Sequence, residues 1–301
     1  MSAWDSFSKY VALVRSSLEF SRYIKSESAE IKSKSEVIKN DISVYDALLG
    51  PIPPSALKKK PRPSYMNLTT EDKSLAENLL FHTTHADLKR VVADRNNIQV
   101  TVEKLQCLRD REWLNDEVIN FYFDMLNDLS ASSKKTSYLW NSFFWLKLSS
   151  DGNGYNYKAV QRWTSRKKMD IFNFERILVP MNIGKNHWAL GVVELKERCI
   201  KYYDSLAPHT VHASFAEYII RYLEDEFRDK RKDQPCPDFL GTFTTCLVDP
   251  PQQRNGYDCG VFTCMNAECI TAGRYWIDFD QSMIPEMRRK IAAQISAGRI
   301  N

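Results

Sequence analysis

The 301-residue chain has no run of 18 or more apolar residues, so no helix in it is expected to span a membrane. Its first twenty residues, MSAWDSFSKYVALVRSSLEF, lack the basic-then-apolar layout and the cleavage site of a secretory leader. CxxC pairs are missing. Cys264 and Cys269 stand five apart, and His82 and His85 have no cysteine nearby, so zinc-ligand spacing is absent and no metal or other cofactor is expected. Seven cysteines, an odd number, without a leader point to a reducing intracellular setting with free thiols. Charge excess is also missing from most of the chain. Up to Leu68 there are 11 Lys and Arg against 7 Asp and Glu; of the total 42 and 38, 31 of each sign remain beyond it. A neutral main domain argues against nucleic-acid binding, which normally shows a basic surplus.

The first 68 residues are expected to form an extension. Trp4, Phe7, Val11, Val14, Leu18 and Ile24 recur at helical spacing, the pattern of an amphipathic helix that docks on a protein partner or on the main domain. GPIPPSALKKKPRPS, from Gly50 to Ser64, carries five prolines and reads as a linker. Its basic run Lys58, Lys59, Lys60 and Arg62 has two readings, a nuclear import signal or a solvated linker.

From Thr69 the pattern becomes that of a folded domain, 69–301. Thr69 or Thr70 offers a cap before Leu75, Leu79 and Leu80; WLNDEVINFYFDML follows, with Asn115 as cap and Leu114, Val118, Phe121, Tyr122 and Met125 on one face. Asp151–Asn156 is a turn, not a calcium loop, because Tyr155 stands where an oxygen ligand is needed. Three β-rich runs, 176–183, 187–195 and 199–206, are joined by connections short enough for an antiparallel meander. A long helical stretch follows, and helices close the chain. The class is α+β, a sheet flanked by helices.

Within this frame His187 opens one strand and Asp204 ends the next, so the hairpin brings them to one end of the sheet. A carboxylate there fixes the imidazole tautomer and stabilises the imidazolium. Cys259 stands just ahead of an apolar helix, where free N–H groups and the positive dipole end favour a thiolate. Gly260 allows close backbone approach, and Gln253, six residues before Cys259, is a candidate oxyanion donor. Singly, each has a plainer reading: a structural histidine, a turn aspartate, a buried thiol, an ordinary glutamine. Together they supply base, orienter, nucleophile and oxyanion donor for acyl transfer.

The motifs GKNHWALGVVEL, KYYDSL and PQQRNGYDCGVFTC, preceded by WLNDEVINFYFDML, resemble the SUMO-specific proteases of the ubiquitin-like-protein protease family, from about Thr69 to the C-terminus. The order is His, Asp, Gln, Cys, whereas papain-like enzymes place cysteine first; the resemblance thus implies a papain-like fold in permuted order. It implies Cys259 as nucleophile, His187 as base, Asp204 as orienter and Gln253 as oxyanion donor. It also implies that Trp113 and Trp188 flank a tunnel passing a Gly-Gly terminus, against the reading of each as core. Asp116 would pair with an arginine of the modifier, against the reading of a helix-start acid. The implied activity is cysteine isopeptidase and precursor processing on SUMO and its conjugates, in the nucleus or cytoplasm. The competing readings are the same chemistry on ubiquitin or another modifier, a related acetyltransferase, and an inactive modifier-binding module. In the extension, Ile24–Glu27 resembles a SUMO acceptor site and Asp41–Asp46 a strand that could add to a sheet edge of SUMO.

Overall fold

A computed structural model describes residues 68–132, 137–207, 212–274 and 277–300, all within the unit Pro63–Asn301. The docking stripe, the basic run, the acceptor-like tetrapeptide and the strand-like hexapeptide lie outside the described residues. Helix α1, Thr70–Phe81, starts where Thr69 caps it, its hydroxyl accepting from the Asp72 amide at 3.0 Å. A small hairpin of β1, Val91–Arg95, and β2, Ile98–Thr101, comes next. Helix α2, Asp116–Ser132, begins at Asn115, whose side-chain oxygen accepts from the Val118 amide at 2.9 Å.

The central sheet has five strands in the order β3 (Ser137–Leu139), β4 (Arg176–Ile183), β5 (His187–Glu194), β6 (Cys199–Tyr203) and β7 (Thr244–Cys246). The three middle strands form the expected antiparallel meander, while β3 and β7 add parallel edges. Helix α3, Ser142–Leu148, and helix α4, Ala213–Lys230, cover one face. Helices α2, α5 (Cys259–Thr271) and α6 (Ile284–Ala297) cover the other, with α1 packed on α6.

Strand alternation sorts the side chains between the two cores. Ile177, Val179, Met181, Ala189 and Val193 enter the core with α3 and α4; Leu178, Trp188, Leu190 and Val192 enter the core with α5. With both faces covered, the middle strands read as nearly continuous apolar runs, buried from Ile177 to Met181 and from Trp188 to Glu194.

One expectation is corrected. Cys199 and Cys246 are joined in a disulfide rather than standing as free thiols. The cause is the parallel pairing of β6 with β7, which sets Lys201 beside Cys246 and Cys199 beside Thr244. That register brings the two cysteine Cα atoms to 6.1 Å, inside disulfide reach. Cys107, Cys236, Cys259, Cys264 and Cys269 keep their thiols outside that bond.

Candidate active site

The His187–Asp204 contact is diagonal rather than directly across the hairpin. The β5–β6 register pairs Leu190 with Tyr203, so Asp204 follows opposite Ala189, two places in from His187 and on the same face. Such diagonal neighbours remain within reach of long side chains. The ring Nε2 meets Asp204 Oδ1 at 2.9 Å. Asp204 is held in turn by the Leu206 amide at 2.9 Å and the Tyr202 hydroxyl at 3.3 Å. Burial works to raise its pKa, but the hydrogen bonds from His187, Leu206 and Tyr202 outweigh that and hold the carboxyl below its usual range.

With Nε2–H committed to the carboxylate, the other nitrogen, Nδ1, is the one free to exchange a proton. It is buried, and no nitrogen or oxygen of the described residues bonds to it. The Asp204 contact, and after it the Cys259 thiol, lift the His187 pKa to about 9 against the opposing effect of burial. The thiol therefore bears on this ring, and the imidazolium is the dominant form at neutral pH.

Cys259 is the first residue of α5 and is 3% exposed. The amides of Val261 and Phe262 return to the Asp258 carbonyl, which leaves the Cys259 and Gly260 amides at the helix start without an intrahelical acceptor. They and the dipole give this end positive character. Cys259 arrives from the α5 face of the sheet, while His187 and Asp204 belong by alternation to the opposite face. They meet because His187 stands at the very end of its strand.

Gln253 is fixed beside this pair. Its backbone amide donates to the Ser205 carbonyl at 2.8 Å, its Oε1 accepts from the Ser205 hydroxyl at 2.6 Å, and its Nε2 donates to the Asn255 carbonyl. The side chain of Gln252 donates to the Asp204 carbonyl at 2.9 Å. The segment carrying Gln253 is thus tied to the segment carrying Asp204.

The two tryptophans differ. Trp113 is 50% exposed, which removes its reading as core, whereas Trp188 is 5% exposed and belongs to the core around α5. The Trp188 indole N–H donates to the carbonyl of Leu114, the neighbour of Trp113, at 3.0 Å. A Cβ on Gly260 would lie 2.7 Å from Leu114 Cβ and 3.3 Å from Trp188 Cδ1. Both tryptophans are therefore anchored to backbone that packs on the start of α5. Asp116 opens α2, half-buried. Burial first and the neighbouring Glu117 second raise its pKa, and Lys104 pairs with Glu117 instead. Among the described residues Asp116 has no ion-pair partner.

A buried pair that no sequence motif signalled stands behind Cys259. Arg288 of α6 binds Asp258 Oδ1 through Nη2 at 2.6 Å and Nε at 3.1 Å. Arg288 lies in FDQSMIPEMRRKI, within the span of the family resemblance but outside the four motifs that carry it.

Residues 112–300 match the Ulp1 protease family, C-terminal catalytic domain. The chain belongs to this family. It is 32% identical over 291 residues to the ubiquitin-like-specific protease ESD4 of Arabidopsis thaliana, covering 93% of this chain and 58% of that one. It is 36% identical over 220 residues to sentrin-specific protease 2 of Homo sapiens, covering 70% of this chain and 34% of that one. The chain thus spans 58% and 34% of the length of these two curated relatives. The fold is similar to the X-ray structure of the C-terminal Ulp1 protease domain in complex with Smt3, the yeast ortholog of SUMO. That TM-score is 0.63 at 32% identity, covering 78% of this chain and 97% of that chain. The α+β class and papain-like architecture follow, and in this chain His187, Asp204 and Gln253 precede Cys259. The Arabidopsis alignment leaves uncovered far fewer than 68 residues, so likeness extends into the N-terminal stretch that the motifs had left outside it.

Proposed function

We propose that residues 69–301 form a cysteine protease and isopeptidase that hydrolyses the bond after the C-terminal Gly-Gly of SUMO, in precursors and in conjugates, within the nucleus or cytoplasm. The observation that carries this reading is the His187 ring. It is bonded through Nε2 to Asp204 and raised to about 9 by that contact and by the Cys259 thiol, and its buried Nδ1 has no nitrogen or oxygen partner that competes with that thiol. That is the protonation state and the free atom that a thiolate–imidazolium pair requires.

In the proposed reaction the Cys259 Sγ attacks the carbonyl carbon of the terminal glycine. The oxyanion is received by the Cys259 amide at the start of α5 and by the second N–H of the Gln253 side chain, the first being spent on Asn255. The C–N bond then breaks, and Nδ1–H of His187 protonates the departing lysine amine or peptide amine. The product is a thioester on Cys259. Neutral His187 next takes a proton from water, the hydroxyl attacks the thioester carbon, and the C–S bond breaks to free the modifier and restore the thiolate.

Exposed Trp113 and buried Trp188, both fixed beside the start of α5 through the Leu114 backbone, suit the walls of a channel that only a side-chain-free terminus can thread. The half-buried Asp116 suits a cation on the modifier, since an arginine would offset the cost of its burial. The names of the relatives support SUMO over ubiquitin. The test is mass spectrometry after treatment with C-terminal electrophile probes built on SUMO, on ubiquitin and on a third modifier. A single adduct with the SUMO probe, absent in Cys259→Ser, is expected. Equal labelling by ubiquitin would overturn the specificity, and no adduct with any probe would overturn the enzyme reading.

A further inference from the structure

Arg288 is 1% exposed, and its whole guanidinium is engaged. Besides the two bonds to Asp258, Nη1 donates to the carbonyls of Cys107 at 3.2 Å and Arg109 at 2.9 Å; Nη2 donates to those of Glu112 at 2.8 Å and Tyr257 at 3.3 Å. Asp258 is equally saturated. Its other oxygen, Oδ2, accepts from the side chains of Asn255 and Gln281, each at 2.7 Å. As the N-cap residue of α5, Asp258 does not use its side chain to cap the helix. The carboxylate is given over to the clamp.

What the clamp joins is informative. Its carbonyl partners fall in two segments far apart in sequence. Cys107, Arg109 and Glu112 precede Trp113, and Tyr257 with Asp258 precedes Cys259. Each segment ends one residue before a member of the site. A buried ion pair with both ions fully hydrogen-bonded contributes little net stability compared with an apolar pair of the same volume. Its distinctive property is directional, because the planar fork fixes several acceptors in one geometry that lysine cannot reproduce.

We propose that Arg288, acting through Asp258, is a positioning residue for the reaction: it sets the first turn of α5, and with it the Cys259 thiol and amide, in register with His187 and with the Trp113 segment. It touches neither substrate nor reacting atoms. This rests on the reading of Cys259 as nucleophile. A displacement of about 1 Å in such a constellation costs on the order of 100-fold in rate, so the effect belongs in turnover rather than in binding of the modifier's folded body.

The experiment uses the full chain with Arg288→Lys, which keeps a charge opposite Asp258 and so avoids an uncompensated buried carboxylate. A second variant, Arg288→Met with Asp258→Asn, removes both charges together. Active sites are titrated with the SUMO electrophile, and turnover is expressed per titrated site; the rate of Cys259 alkylation by iodoacetamide is followed by mass spectrometry from pH 5 to 10. For Arg288→Lys the expected result is a fall of about 10- to 100-fold in kcat per titrated site, KM within about threefold, and slower alkylation at neutral pH. The double variant should fold and show the same kinetic loss. Wild-type kcat per site and wild-type alkylation in either folded variant, with only the melting temperature lowered, would overturn the proposal. Failure of the underlying reading looks different: in the wild-type chain Cys259 would then alkylate no faster than Cys236.

Discussion

On one side of the central sheet Trp140 and Phe144 stack with ring centroids 4.5 Å apart, and Trp163 and Tyr222 pack edge-on around them. On the other side α5 is buried along its whole length, and it takes Thr263, Asn266, Glu268 and Thr271 into the core with it. Glu268 there accepts from Tyr122 at 2.7 Å and pairs with Lys290 at 2.5 Å. The aromatic side gains its stability from area and ring contacts, which are tolerant of direction. The α5 side buries polar groups, of which Glu268 is held by Tyr122 and Lys290 in one geometry. Cys259, the proposed nucleophile, opens the helix of this second side, where a fixed geometry is available. The aromatic side contributes the strand face from which His187 and Asp204 project.

The largest expected effect comes from the carboxylate that holds the His187 ring. Asp204→Asn removes the chief cause of the raised His187 pKa. Since the carboxylate favours the imidazolium, its loss moves the pKa down from about 9 toward the ordinary value of about 6.5. The wild-type chain should lose kcat/KM as pH rises through about 9, because the leaving amine then lacks its proton donor. The variant should lose it about two units lower, with turnover at neutral pH reduced roughly 10²- to 10⁴-fold. A pH–rate profile on a SUMO fusion checks this. An alkaline limb that stays near 9 in the variant would show that Asp204 does not control the ring. The same sign holds for stability: the raised pKa stabilises the fold fully below about 6.5, and this contribution disappears as pH passes about 9.

Next in size is a lesion confined to the aromatic side. Phe144 is fully buried among Trp140, Trp163 and Tyr222, so Phe144→Ala should cost about 3–5 kcal/mol of stability through lost burial and a residual cavity. Turnover per titrated site should remain within about twofold of wild type, because no ring in the stack touches Cys259, His187 or Asp204. Urea unfolding together with active-site titration separates the two quantities. A large loss of turnover per site would erase the division between the sides.

How much of this was legible in the sequence follows the same division. His187, Asp204, Gln253 and Cys259 stand out because each sits beside a local signal: a strand start, a strand end, a fixed interval, a helix start. The middle strands are equally plain, as apolar runs with short connections. The edge strands β3 and β7 are three residues each, too short for alternation to register. The Cys199–Cys246 bond depends on the parallel pairing of β7 and on partners 47 residues apart, and no local pattern encodes that. Arg288 is hidden for a related reason. In EMRRKI three basic residues adjoin, and polarity gives no sign that Arg288 and Lys290 are buried while Arg289 faces outward toward Glu77 and Asp110. Only the fold, which brings Asp258 and the 107–112 segment around α6, distinguishes them.

The smallest of the three effects on stability is also the sharpest comparison, because it applies one added methyl to each side. On the aromatic side a Cβ at Gly191 would stand 2.1 Å from Phe215 Cζ. On the α5 side a Cβ at Gly260 would stand 2.7 Å from Leu114 Cβ. Each is overpacking, worth roughly 1–3 kcal/mol of destabilisation. The relief differs. Phe215 can give way by shifting its whole side chain within the aromatic cluster, since the clash is with the far end of that side chain and not with backbone. Leu114 Cβ is bound directly to backbone, so at Gly260 the first turn of α5 or the Leu114 segment must move, and with it Cys259 or the carbonyl that holds Trp188. Gly191→Ala should therefore keep turnover per titrated site within about twofold, while Gly260→Ala should lose about 10-fold or more for a similar shift in unfolding midpoint. Equal losses of turnover from the two alanines would mean that strain passes freely through the sheet, and the two sides would then have to be treated as one mechanical unit.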